Sequence, residues 1–292
     1  MTDREVIRRH SRSFSLAALL LPAESRRHAE ALYSWCRSAD DRIDQAADRS
    51  ASERALDQLR NEVDDVYAGR PSSPQADALR RAVMACGIPR EYPFELIAGF
   101  EMDVRGQRYE TEQQLLVYCH RVAGVVGLMM CHALGLADDA GLPHAAHLGI
   151  AMQLTNIARD VAADWSLGRV YLPASWHSCP LVPGTTLEDE QVAPAVRRCL
   201  ELAERYYQSG ERGLIYLPPR CRLAIRTASG VYRAIGEVIA SHGYRPSAGR
   251  AVVSRWRKAT ILMQAVLASL FEYGDRGSDR RPAVCWSFCP LP

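Results

Sequence analysis

Asn156-Ile157-Ala158-Arg159-Asp160-Val161-Ala162-Ala163-Asp164 directly follows an apolar run that begins near Ala145, and Asp40-Asp41-Arg42-Ile43-Asp44 closes a similar run from Ala29. Both runs repeat apolar residues at helical spacing, and side chains four apart on a helix share a face. Asp40 therefore stacks with Asp44, and Asn156 stacks with Asp160 and Asp164. Each face is a column of oxygen ligands. Like charges at that spacing cost an isolated helix roughly 0.2–0.5 kcal/mol per pair, so two such columns in otherwise apolar helices imply a cation between them. Divalent metal is the leading candidate.

The same periodicity extends on both sides. Pro22 with Glu24 opens the helix that carries Asp40 and Asp44. Residues 51–68 form an amphipathic helix with Ala55, Leu59, Val63 and Val66 on one side, and a short helix follows to Cys86, ended by Gly87-Ile88-Pro89. Residues 91–103 carry Phe94, Ile97 and Met102 beside Glu101 and Asp103, which read equally as a third acidic element or as a solvated helix end. Residues 112–136 are apolar almost all round and predict a central helix, with Gly124 and Gly127 admitting another backbone. Residues 145–165 predict a second buried helix. Residues 166–187 read as a loop beside the site, and helices resume over 189–212, 218–242 and 248–273. No alternating Val/Ile-rich run predicts a strand. The expected architecture is one all-α domain over 1–273, with a poorly ordered tail over 274–292.

A chain of 292 residues that is 48% hydrophobic and 24% charged supports a large core, and a formal charge of +2 argues against nucleic acid as the main partner. Nine scattered cysteines without paired metal-ligand spacing fit a reduced, cytoplasmic protein. The Cys285/Cys289 pair receives no role. The start of the chain lacks the features of a secretory signal, and no stretch reaches about 18 uninterrupted apolar residues, so no membrane span is expected.

Oxygen-only ligands suit magnesium, with manganese as a substitute, shared with substrate phosphates. Two facing columns fit a diphosphate, whose departure the metals would assist by neutralising developing charge, leaving a carbocation. Arg37, Arg159 and Arg169 lie close by in sequence, and the planar guanidinium suits phosphate oxygens. Tyr33, Tyr118, Tyr171 and Tyr232 fall on inward faces or at the edge of the site, where aromatic faces can stabilise a cation, although core packing with a satisfied hydroxyl is the commoner role for any one of them. One D-x-x-x-D alone is more often a solvated face; two copies in apolar helices, each beside arginine, favour the functional reading.

At these residues the chain resembles the squalene and phytoene synthase family of head-to-head prenyl transferases. The matching stretches are Ser13-Phe14-Ser15, residues 33–41 with Asp44, Tyr118 with Val122-Ala123-Gly124 and Gly127, and Gln153 to Ile157 with Arg159, Asp160 and Asp164. Gly168-Arg169-Val170-Tyr171-Leu172-Pro173, Val231 to Gly236 and Arg257-Lys258-Ala259 complete the series, which runs in family order from about residue 10 to about 270. Ala162-Ala163 stand where many relatives have Gly-Glu, which removes one acid and leaves the column intact.

The resemblance implies an isoprenoid-synthase helical bundle with a deep central cavity. It places Asp40, Asp44, Asn156, Asp160 and Asp164 on magnesium, Arg37, Arg159, Arg169 and Lys258 on diphosphate, with Arg257 a less certain neighbour, and Phe14 and Gln153 along the cavity. Tyr33, Tyr118, Tyr171 and Tyr232 would steady diphosphate or cation. The motifs look most like the bacterial phytoene-forming branch. That branch joins two geranylgeranyl diphosphates through a cyclopropylcarbinyl (prephytoene) diphosphate to 15-cis-phytoene, in carotenoid biosynthesis and without NADPH. The alternatives are a C30 enzyme making dehydrosqualene or squalene from farnesyl diphosphate, and a non-catalytic assembly protein on the same fold. Ala17 and Ala18 are small where a bulky side chain would cap a tail pocket. A hydrocarbon product implies peripheral membrane contact, with Leu19 to Leu21 and the loop after Pro173 as candidate surfaces; the sequence does not disclose the oligomeric state.

Overall fold

The computed structural model describes residues 17–178, 181–182 and 184–274, with side chains to residue 269, and every regular element among them is helical. Phe14 and the Cys285/Cys289 tail lie outside the described residues. Among the described residues the ten α-helices are α1 (Ala23–Asp44), α2 (Arg49–Tyr67), α3 (Pro74–Cys86), α4 (Glu91–Val104), α5 (Glu112–Cys119), α6 (Val125–Ala133), α7 (Leu142–Ser166), α8 (Asp189–Gly213), α9 (Pro219–Ser241) and α10 (Arg255–Gly274).

Local chemistry sets the ends of several helices. The Asp48 carboxylate accepts from Ala51 N at 2.7 Å and starts α2, and Ser73 Oγ accepts from Ala76 N at 3.0 Å just ahead of Pro74 at the start of α3. Gly87, with φ of 61°, ends α3 in the left-handed conformation. Thr111 and Gln114 form a reciprocal capping box at α5. The helix expected from residue 145 starts three residues earlier, because Pro143 fits a first turn, whereas the helix expected from 248 begins only at Arg255.

The expected continuous helix over 112–136 is interrupted. Residues His120–Gly124 form a π turn between α5 and α6, where the backbone takes one extra residue. Apolar periodicity cannot reveal such an insertion, since both flanks are apolar. The turn brings Val122 and Ala123 to the cavity wall, and its partner is α7. Glu112–Ala133 is long and apolar enough to cross a bilayer although Gln113, Gln114, His120 and Arg121 interrupt its apolar run; here it packs against α1, α3, α4 and α7.

Two large clusters form the core. One joins α5, α7, α8 and α9 around Leu115, Leu154, Cys199 and Tyr207, and the other joins α1 to α4 and α6 around Trp35, Leu59, Leu79 and Met129. Trp35 is fully buried and donates to Glu62 Oε1 at 2.7 Å, while Arg42 holds the same carboxylate at 3.0 and 3.1 Å. These bonds fix the rotation of α1 on α2. As a result Tyr33, Arg37, Asp40 and Asp44, on the other face, turn toward the cavity.

Helix α7 is the central element, with α8 and α9 on one side and α5, the π turn and α6 on the other. Gly149 sits against the π turn so closely that a Cβ there would overlap the Ala123 carbonyl and lie 3.0 Å from Gly124 Cα. Only backbone atoms would have to yield. Gly149→Ala is therefore expected to destabilise the fold by about 1–3 kcal/mol, read as a lower urea midpoint at unchanged m-value; an unchanged midpoint would contradict this contact.

Candidate functional site

A cavity of about 770 Å³ opens between α1 and α7 and continues along α7 into the bundle. Its mouth is polar. Asp40 and Asp44 line it from α1, and Asn156, Asp160 and Asp164 line it from α7, so the two columns meet across one opening. Tyr33, Arg37, Tyr118, Gln153, Arg159, Arg169, Tyr171, Tyr232 and Lys258 also line the cavity. Ala17, which is buried, and Ala18 are not part of its lining.

Arginines hold the carboxylates. Arg37 donates to Asp40 at 2.9 Å and reaches Asp41 at 2.6 Å. Arg169, in the loop after α7, donates to Asp44 Oδ1 at 2.8 Å and so ties that loop to α1. Arg159 grips Asp160 with two nitrogens, one at 3.0 Å, and Arg250 Nε donates to the same carboxylate at 2.9 Å.

Asp103, which the sequence left open, and Arg250, which it did not mark, also line the cavity. Asp103 accepts from the Tyr118 hydroxyl at 3.0 Å and from the Tyr171 hydroxyl at 2.8 Å, and the two rings stack with centroids 5.0 Å apart. It is a third acidic element, as the sequence allowed. Glu101 instead pairs with Arg60 and Arg105 outside the cavity. The signal for Asp103 was available, since Leu96, Phe100 and Asp103 share a helical face and all line the cavity. Arg250 gave no such signal, because it lies in an irregular segment before α10. Arg257 needs correction: it pairs with Glu237 at 2.7 Å and does not line the cavity. The residue from this region that grips an aspartate is Arg250.

The electrostatics show what the mouth lacks. Burial pushes the carboxyls of Asp40 and Asp164 up to about 6 and about 7, and the neighbouring charges of Asp44 and Asp160 add to the effect. Burial likewise raises Asp103 to about 6, against the two tyrosine hydrogen bonds. Asp160 is the exception: burial alone would raise it, but Arg159 and Arg250 outweigh burial and hold it below the usual range. Burial and the Asp103 charge push the phenols of Tyr118 and Tyr171 up, so both remain donors.

Asn156 Oδ1 is buried without a hydrogen-bond partner, an orphaned acceptor on the α7 column. Crowded carboxylates and an unpaired amide oxygen fit a hard divalent cation. Among the described residues no three Asp, Glu, His or Cys side chains converge into a ready-made cage. That geometry suits ions taking one or two carboxylates each and completing their shells with water and phosphate oxygens.

An all-helical bundle with facing oxygen columns at the mouth of a deep cavity defines the isoprenoid-synthase class. A sequence profile of the squalene/phytoene synthase family matches residues 7–257. The chain is 38% identical to a 15-cis-phytoene synthase of Enterobacter agglomerans, over 92% of this chain and 97% of that one. It is 41% identical to a 15-cis-phytoene synthase of a Paracoccus species, over 89% and 88%. A crystal structure of a dehydrosqualene synthase in complex with ligand superposes with a TM-score of 0.83 at 29% identity, covering 93% of this chain and 96% of that one. The chain belongs to the squalene/phytoene synthase family and is a prenyltransferase of that type.

The raised carboxyl of Asp164 yields a stability prediction. A folded-state pKa above the unfolded value means that the native state binds more protons, so stability falls as pH rises from about 4 through about 7. Asp164→Asn removes that penalty. Without divalent metal, the variant is expected to melt above the wild type at pH 8, with the gap closing toward pH 4. A gap that widened on acidification would show that the Asp164 carboxylate is not destabilising.

Proposed function

We propose that the protein condenses two geranylgeranyl diphosphates head to head to 15-cis-phytoene, through a cyclopropylcarbinyl diphosphate, as a step of carotenoid biosynthesis. The observation that carries this reading is the 38–41% identity to 15-cis-phytoene synthases over about nine-tenths of the chain. The cavity supports it. Behind the polar mouth the wall turns apolar, through Val126, Met130, Leu148 and Met152 to Leu134 and Leu217, as a prenyl tail requires.

Asp40, Asp44, Asn156, Asp160 and Asp164 would hold magnesium ions, which neutralise the charge on diphosphate as its C–O bond breaks. Arg37, Arg159, Arg169, Arg250 and Lys258 bind the diphosphate oxygens, and the arginines now on Asp40, Asp44 and Asp160 are within reach of that task. Tyr118 and Tyr171 present stacked rings just inside the mouth, and Asp103 fixes both hydroxyls. Their faces and the nearby carboxylate stabilise an allylic cation, while the apolar wall keeps water away from it. C1 of one substrate bonds to the double bond of the other, giving the cyclopropane after loss of one proton. Ionisation of that intermediate, rearrangement and loss of a second proton give the triene. Two diphosphates and two protons leave and no electrons are consumed, so the reading needs no NADPH.

A second reading has an observation of its own, since the structural neighbour at TM-score 0.83 is a dehydrosqualene synthase. It would give a C30 product from farnesyl diphosphate. We further propose that the enzyme works in the cytoplasm against a membrane that receives its product, with exposed Leu19 and Val182 on the contacting surface.

Incubation with geranylgeranyl or farnesyl diphosphate, with and without NADPH, separates the readings. Product identification by mass spectrometry is expected to give phytoene from the C20 substrate regardless of NADPH; turnover of the C15 substrate alone would overturn the assignment. Asp40→Ala and Asp160→Ala are expected to lower magnesium-dependent diphosphate release by at least about 100-fold. Full release in both would refute the metal site.

A further inference from the structure

The deep end of the cavity has polar groups where a hydrocarbon tunnel needs none. There His144, in the first turn of α7, lines the wall with Gly141, Gly213 and Leu214. Three contacts hold its ring. Nδ1 lies 3.0 Å from Ser209 Oγ on α8, and the ring stacks on Tyr216 with an interplanar angle of 15° and centroids 6.3 Å apart. On the third side is Gly213, where any added Cβ would overlap His144 Cβ, so the ring has no room to retreat toward α8. Ser209 Oγ also lies 2.7 Å from Nδ1 of His147. A hydroxyl has one donor and two acceptor sites, so Ser209 bridges the two rings and holds both in place. Burial lowers the pKa of His144, which keeps the ring neutral where a tail would end.

Helix α7 lines the cavity from mouth to deep end and serves as its ruler. His144 is twelve residues before Asn156, or ~18 Å at the helical rise. A fully extended C20 chain, with about sixteen backbone carbons at ~1.25 Å each, spans ~19 Å. A C15 chain spans ~14 Å and a C25 chain ~24 Å on the same basis. One isoprene unit, ~5 Å, thus matches about one turn of α7. A tail starting beside Asn156 reaches His144 at C20, and the next isoprene unit would have to occupy the space of the ring.

We propose that His144 is the floor of the tail tunnel and sets the longest prenyl chain accepted, with Ser209 as the positioning residue that holds its ring in place. The proposal rests on the reading of the cavity as a prenyl-diphosphate site. It accounts for a neutral, immobilised imidazole at the end of an apolar wall.

The test uses the full chain with magnesium and with C15, C20 and C25 (geranylfarnesyl) diphosphates, products being measured by mass spectrometry. The readout is the ratio of C25 to C20 consumption, which a general loss of stability would not move. His144→Ala is expected to raise it by about tenfold or more over wild type, and Ser209→Ala to raise it by less. His144→Trp is expected to shift preference toward C15. Unchanged ratios in folded His144→Ala and His144→Trp would overturn the floor, and an unchanged ratio in Ser209→Ala alone would overturn the positioning role. If the wild type consumes only C15, the phytoene reading fails separately. The floor is then judged by whether His144→Ala admits the next longer substrate.

Discussion

Five carboxylates, Asp40, Asp44, Asp103, Asp160 and Asp164, are brought to one partly desolvated mouth, and their mutual repulsion is the constraint that the rest of the structure must contain. Charges this close and this poorly solvated are unfavourable unless partnered. The protein holds them apart mechanically: Trp35 and Arg42 fix the rotation of α1 on α2, and the close glycine contacts of α7 fix its height against the π turn. It also offsets their charge with Arg37, Arg159, Arg169 and Arg250. Such a mouth binds cations and diphosphate by releasing electrostatic cost already present in the fold, which is the preorganisation that ionisation of a diphosphate demands.

Helix α7 makes one site of two different environments. Its C-terminal half presents the ligand column, and its N-terminal half lines the apolar tunnel to His144. A rigid helix of 25 residues keeps the reacting end of a substrate and the end of its tail in fixed register. Loops could not hold that distance. Gly149 on α7 and Gly127 on α6 let the π turn and α6 approach the backbone of α7 closely.

Much of the site was legible in the sequence for a local reason. Asp40 with Asp44, and Asn156 with Asp160 and Asp164, obey a spacing that any helix turns into a shared face, and the surrounding apolar residues say which way that face points. Tyr118, Tyr171 and Arg169 could be placed because they sit in stretches whose pattern is shared with relatives. Asp103 remained ambiguous because a helix-terminal acid is usually solvated; two tyrosine hydroxyls from distant segments bury it here. Arg250 could not be placed because no periodicity extends into the segment before α10, and Arg257, from a stretch that resembles the family, pairs with Glu237 instead. The π turn was hidden by the uniform apolarity of its flanks.

The sequence by itself determined that the chain is all helical, that two columns of oxygen ligands exist, and which family they mark, since each depends on spacings of a few residues along one helix. Only the tertiary structure decided that Asp103 and Arg250 join those columns, that Glu101 and Arg257 do not, and that His144 lines the same cavity. Those outcomes are distances between groups far apart in the chain. Packing α7 against α8 and both α7 and α4 against the π turn sets them, and helical periodicity carries no information about where two helices will touch.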